Sequence, residues 1–295
     1  HQLDKARIAG RKSQLSKVAE ALRKFGKRQS QFLIIEGASG MGKSEFLHTI
    51  RRNLAQTKIW QIAVNGTPQE GFRPYYLTTS ILVEIMNRRP DKGAGILDHL
   101  NPQEVNYLSH ILPQLGEPEE NGDQKDEKTL RELIFTTLVH FIPKLVNSRP
   151  LIFFIDDFHL CDEATLLLLR QLILHGDIPL FICGTATDVS PGKEEGQQSP
   201  LQRFCTAFGQ ELSIDTVSLT PLAASDINAH FQGIFPQVRL PENFEHDLAQ
   251  LTQGSPLFLS EIQRKLVLDG KLTLSGQQWK VESLEEGYLP RSLEE

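Results

Sequence analysis

No apolar run in this sequence approaches the roughly 18 residues that a membrane-spanning helix needs. The longest, such as Leu151 to Ile155, reach about five. A membrane partner is therefore not expected. Nor is there a basic stretch followed by an apolar core, so no secretory signal is visible. Cysteine is sparse: Cys161, Cys183 and Cys205 are an odd number at unrelated spacings, in or beside apolar stretches. They read as small core residues in a reducing compartment, and a cytoplasmic location is expected. The nine histidines are scattered, and none pairs with a cysteine at a ligand spacing, so a Cys/His metal site is not expected. Basic charge is also short, with 37 acidic against 31 basic residues and a net charge of −6. Direct nucleic-acid contact, which needs a basic surface, is disfavoured. No internal repeat is evident.

What is present is an ordinary globular composition, 39% hydrophobic and 23% charged. The length of 295 residues suits one large or two modest domains with a core that needs no disulfides. The first residue is His rather than Met, which reads as a cut-out of something longer.

Hydrophobic periodicity outlines the chain. Leu15, Val18, Leu22 and Phe25 recur at helical spacing over 13–25. Phe32 to Ile35 is a short apolar run of the kind buried on both faces of a parallel sheet. A glycine-rich turn follows, then a helix marked by Phe46, Leu47, Ile50 and Leu54. A strand is expected over 59–64 and helical stretches around 75–87 and 103–112. Residues 116–128 have almost no apolar content and read as a surface loop. A helix from about Lys128 should be disturbed by Pro143. Leu151 to Ile155 is a second buried strand, a Leu-rich helix covers 163–174, and Pro179 to Cys183 is a third. Residues 191–200 read as a loop, and a strand is expected near 213–219. Three helices follow near 222–234, 241–253 and 256–268, with Pro221, Pro241 and Pro256 at their first turns. The tail, 271–293, reads as a small hairpin or the start of a further domain. Alternating strands and helices imply an α/β fold with a parallel sheet covered on both faces.

Gly37-Ala38-Ser39-Gly40-Met41-Gly42-Lys43-Ser44 matches G-x-x-x-x-G-K-[ST], between a buried strand and an amphipathic helix. Glycines let backbone N–H groups converge on a phosphate, and the following helix offers its N-terminus to the same anion. Lys43 would reach the β- and γ-phosphates, and the Ser44 hydroxyl would ligate Mg²⁺. The nucleotide-binding run is read as Gly37 to Glu45. The strand at 151–155 ends in Asp156-Asp157, a carboxylate pair at the edge of the sheet where ligands bind. Asp156 would serve Mg²⁺ and Asp157 would orient or deprotonate the attacking water. Asp162 is the better candidate to cap the helix that follows. His159 reads as a partly buried helix-entry residue, with a relay of the nucleotide's state as the alternative, and Trp60 and Trp279 read as packing residues. Arg51, Arg52, Arg88 and Arg89 read as solvated.

The stretch Asp156-Asp157-Phe158-His159-Leu160-Cys161-Asp162-Glu163-Ala164-Thr165 resembles the "DDLHWADPAS" segment of STAND-class P-loop ATPases, an AAA+-related branch. Such modules sit in large bacterial LuxR-type, cyclase-linked and kinase-linked regulators. Ile8-Ala9-Gly10-Arg11-Lys12 resembles the family's opening "hVGRE" motif, His110 to Leu115 its "LLPEL" segment, Gly254 to Leu259 its "GNPLFLEEL", and Tyr288 to Leu293 the "LP.SL" lead into a winged-helix domain. The resemblance implies a P-loop NTPase sheet flanked by helices over 1–219, a helical lid over 220–270, and a linker or winged-helix-like start over 271–295. It implies that Arg11 and Pro256 border the base, and that ATP and water give ADP and phosphate with Mg²⁺. The chain departs from the family at Thr187, which stands where an arginine follows the third central strand. A threonine can hydrogen-bond but supplies no charge, so hydrolysis is expected to be slow.

The expected function is an ATP-binding regulatory switch of a multidomain signalling or transcription regulator. The alternative is a nucleotide-held interaction scaffold with little hydrolysis. A small-molecule kinase lacks an evident Arg-rich lid segment, and a DNA-remodelling motor is disfavoured by the acidic charge. Expected partners are nucleotide, other domains of the same chain and a nucleotide-dependent second copy.

Overall fold

The computed structural model describes residues 10–67, 74–89, 95, 99–119, 126–187, 198–276 and 278–282. The elements in order are α1 (Lys12–Gly26), β1 (Gln31–Glu36), α2 (Lys43–Leu54), β2 (Trp60–Asn65), α3 (Tyr76–Arg88), α4 (Pro102–Ser109) and α5 (Glu127–Leu145). They continue with β3 (Leu151–Asp156), α6 (Glu163–His175), β4 (Leu180–Ala186), α7 (Pro200–Phe208), β5 (Ile214–Ser218), α8 (Ala224–Ile234), α9 (Phe244–Thr252), α10 (Pro256–Leu268), β6 (Leu272–Ser275) and β7 (Gln278–Val281). Strands β1 to β5 form one sheet in the order β2-β3-β4-β1-β5, and β6 and β7 form an antiparallel hairpin.

The parallel register runs from Trp60 opposite Leu151 to Asn65 opposite Asp156, and from Leu151 opposite Leu180 to Ile155 opposite Gly184. Strands covered on both faces read as continuous apolar runs. Accordingly Phe32 to Ile35, Leu151 to Ile155 and all of β4 are buried.

The chain divides into two compact units: His1–Val18, Ile35–Asn53 and Val217–Glu295 in one, Ala19–Ile34 and Leu54–Thr216 in the other. The first has its own apolar cluster built from Leu222, Ile227, Phe231, Leu248, Leu259 and Leu266. Trp279 packs on it, edge-on to Phe235 with ring centroids 5.1 Å apart. Each such side chain contributes about 1.5–3 kcal/mol by leaving water. The second has the larger cluster, in which Phe32 stacks on Phe158 at 5.8 Å and Trp60 packs at the margin.

Several elements differ from the sequence expectation, each for a local reason. Helix α5 continues past Pro143 to Leu145. A proline so near the C-terminus forfeits one backbone bond, while the buried Phe141, Ile142 and Leu145 hold the last turn in place. Helix α7 occupies 200–208, where the sequence showed only the edge of a loop. Ser199 and Gln202 form a reciprocal capping box, Pro200 stands at the first position, and Gly209 follows. Pro221 and Pro241 are not first-turn residues, because α8 begins at Ala224 and α9 at Phe244. Pro102, Pro200 and Pro256 do take that position. The hairpin expected in the tail is β6–β7, whereas Tyr288 to Leu293 lies outside the described residues, as do Ile8, Ala9 and 191–197.

Candidate functional site

The glycine-rich turn belongs to the first unit. It starts where β1 ends, and α2 begins at Lys43. Gly40 and Gly42 have φ of +78° and +81°, the left-handed region that a side chain makes costly. Lys43 is buried, and its ammonium donates to the carbonyl oxygens of Gly37 at 2.9 Å and Ala38 at 3.0 Å. The Met41 N–H points across the turn at the Ala38 carbonyl, 3.4 Å away. Ser44 is exposed on the first turn of α2, and Glu45 pairs with Arg52 at 2.6 Å. Arg52 is therefore engaged locally, and so are Arg88, bonded to Glu84 and the Gln61 carbonyl, and Arg89, bonded to the Leu145 carbonyl.

Arg11 and Pro256, two residues far apart in sequence, meet this turn within the same unit. The Arg11 guanidinium donates to the carbonyls of Thr220 at 2.5 Å and Met41 at 3.4 Å. Burial disfavours its charge, and the nearby Asp226 carboxylate works the other way. Pro256 opens α10, and a Cβ placed on Gly42 would come within 3.9 Å of its ring.

Asp156 and Asp157 belong to the second unit. Asp156 is the last residue of β3, and Asp157 follows with φ 49° and ψ 43°. A left-handed aspartate is tolerated but unusual, and the surroundings hold it there. Its N–H donates to the Thr185 hydroxyl at 2.9 Å and to Asp156 Oδ1 at 3.2 Å. The Thr185 hydroxyl in turn donates to Asp156 Oδ1 at 2.5 Å. The Gly66 N–H donates to the Asp156 carbonyl at 2.8 Å, and a Cβ on Gly66 would stand 2.4 Å from the Asp157 carbonyl oxygen.

Thr185 escaped the sequence expectation, which fell two residues further on, at Thr187. Its signal was a hydroxyl in an otherwise apolar, fully buried strand. Such a group needs a partner, and here the partner is Asp156. Asp162 caps α6 as expected, accepting from the Thr165 N–H at 2.9 Å. It also accepts from the Tyr75 N–H at 3.0 Å, which carries the cap to the start of α3. His159 sits half-buried in the 3₁₀ turn between the aspartates and that cap.

A parallel sheet, a glycine-rich anion turn leading into a helix, and a strand ending in paired carboxylates define a P-loop nucleotide-binding module. The chain belongs to the AAA ATPase domain family, whose model matches residues 7–183, more than half of its length. No curated protein matches it. Among solved structures it is similar to the RuvB Holliday junction branch migration motor of Thermotoga maritima, with TM-score 0.44 and 15% identity over 89% of this chain and 65% of that one. A point mutant of Thermotoga maritima RuvB gives TM-score 0.45 and 12% identity over 92% and 67% of the two chains. The chain thus spans about two thirds of those structures. Among the described residues, no helix is long and apolar enough to cross a membrane.

Proposed function

We propose that this chain is an ATP-binding, slowly hydrolysing switch module of the STAND class, serving a larger signalling or transcription regulator. The observation that carries the reading is the turn at 37–44. Its left-handed glycines and buried lysine form an anion cradle that is bonded, within one unit, to the start of α10. A change in the cradle on nucleotide binding therefore has a direct route to the helical segment 220–270, which acts as the lid on a nucleotide-binding region of 1–219. Residues 271–295 lead toward a further domain.

In this reading Lys43 neutralises the β- and γ-phosphates, and the N–H groups of Gly37 to Glu45 cradle them. Ser44 and Asp156 offer a hydroxyl and a carboxylate, the hard oxygen donors that Mg²⁺ takes. Mg²⁺, when bound, offsets phosphate charge. Asp157 accepts a proton from the attacking water while water's oxygen bonds to the γ-phosphorus and the bond to the β-phosphate oxygen breaks, giving ADP and phosphate. Thr185 holds both aspartates in position for this. Arg11 and Pro256 border the base. Nucleotide-dependent pairing with a second copy, and a cytoplasmic setting, complete the reading.

The test is ADP and ATP binding and phosphate release on this chain, wild type beside Lys43→Ala and Asp157→Ala, with a check for copurified ADP. Binding with Mg²⁺, and phosphate release that disappears in both variants, is the expected result. Absence of any nucleotide binding would sink it. The second reading, a nucleotide-held scaffold, is favoured by the uncharged Thr187 after β4. It predicts slow ADP exchange and no phosphate above the Asp157→Ala background.

A further inference from the structure

The carbonyls of the phosphate turn are held from outside by donors remote in sequence. Arg11 holds that of Met41, and α10 holds that of Gly40 twice, through the Leu257 N–H at 3.2 Å and the Ser255 hydroxyl at 3.3 Å. A trans peptide is planar, with its C=O and N–H pointing opposite ways. Fixing the Gly40 carbonyl therefore fixes the direction of the Met41 N–H, which closes the turn on the Ala38 carbonyl at 3.4 Å, and fixing the Met41 carbonyl fixes that of the Gly42 N–H. Anion binding by such a turn depends on where these N–H groups aim.

Ser255 is the informative member. It stands at the N-cap of α10, where a serine ordinarily accepts a bond from the first turn of its own helix. Here the side chain makes no capping bond. The residue is only 3% exposed, and its hydroxyl donates to Gly40 instead. The fit is close, since a Cβ on Gly40 would stand 2.9 Å from the Ser255 Oγ. Gly254 next to it has φ +69° and accepts at its carbonyl from the Leu222 N–H at 2.8 Å. That bond ties the start of α10 to the lead into α8. Arg11 reaches the same lead through Thr220.

We infer that Ser255 is a positioning residue of the phosphate turn, aiming the Met41 N–H through the Gly40 carbonyl and coupling phosphate occupancy to the helical segment α8–α10. This rests on the reading that the turn binds nucleotide phosphates. Coupling is reciprocal, so a phosphate that shifts the turn must also load or release the start of α10.

The test uses the whole chain as wild type, Ser255→Ala and Ser255→Thr, titrated with ADP and Mg²⁺. Backbone hydrogen exchange over 38–42 is followed in parallel without nucleotide. Ser255→Ala is expected to weaken ADP about three- to tenfold, the worth of one net hydrogen bond, and to speed exchange in the turn. Its melting temperature falls by only a few degrees, the worth of that one hydrogen bond, since no capping bond goes with it. Ser255→Thr, which keeps the hydroxyl, restores affinity and exchange. Wild-type affinity in Ser255→Ala overturns the inference, whatever the exchange does. If wild type itself binds no ADP, the proposed function fails, and the exchange arm alone decides the anchor: unchanged exchange in Ser255→Ala overturns it, and faster exchange that Ser255→Thr reverses supports it.

Discussion

The turn at 37–44 and the aspartate pair at 156–157 are held by opposite means. In the first, side chains hold the backbone: Arg11, Lys43 and Ser255 all donate to carbonyls of the turn. In the second, a side chain and a backbone amide hold Asp156, through the Thr185 hydroxyl and the Gly66 N–H. The turn draws one of its outer anchors, Ser255, from 215 positions away. The aspartates draw theirs from β4 and from the residue just after β2, the strands flanking β3 in the sheet. The anchors of the turn come from side chains and from a helix start, at 2.9–3.4 Å. Those of the aspartates come from the neighbouring strand and the end of another, and the Gly66 bond is 2.8 Å.

That contrast can be broken most sharply at its two ends. Lys43→Ala should weaken ADP or ATP binding by about 100-fold or more, since charge-assisted contacts to phosphate are among the strongest available, and titration calorimetry reads it. Asp157→Ala should leave binding within a few-fold and lower phosphate release by about 10²- to 10⁴-fold, the range of general-base catalysis. If the two variants fail in the same way, the division of labour is wrong. Thr185→Val should lower the turnover rate about tenfold with little change in affinity, as expected for loss of one bond to a charged group, and Thr185→Ser should recover it. An equal fall in affinity would make Thr185 a structural residue only.

Two smaller effects sharpen the same comparison. Burial pushes the thiols of Cys161 and Cys183 well above the ordinary thiol range, and all three cysteines lie in the second unit. A thiol reagent at pH ~8 should reach Cys205 first and the other two only on unfolding, so their labelling reports on the unit that holds the aspartates. The smallest effect concerns Asp126, the cap of α5, whose carboxyl is held below its ordinary 3.8 by the Thr129 N–H and hydroxyl. A depressed carboxylate stabilises above its unfolded pKa, and the benefit disappears as pH falls through its folded value. Asp126→Ala should therefore melt slightly lower than wild type at neutral pH and coincide with it in strong acid.

Much of this was legible beforehand. The buried strands announced themselves as apolar runs, and most helices through their spacing, because burial on two faces or one leaves a period in the sequence. Gly40 and Gly42 were legible because only glycine serves a left-handed turn cheaply. Asp162 was legible because caps are local. The misses share a cause as well. Helix α7 hid behind a polar stretch although its capping box was in plain view at Ser199 and Gln202. Pro221 and Pro241 misled because a proline fits a loop as readily as a first helical turn.

The sequence by itself determined the class of chemistry: a phosphate turn between strand and helix, and a carboxylate pair ending a buried strand. Local rules suffice there, since backbone conformation and strand burial depend on residues within a few positions. Only the tertiary structure decided which groups hold those parts in place. That Thr185 supports the aspartates, that Arg11 grips Met41, and that Ser255 leaves its own helix uncapped to hold Gly40 are hydrogen bonds between distant stretches of chain. No spacing encodes them, because a donor finds its acceptor only after the sheet order and helix packing have brought the two together.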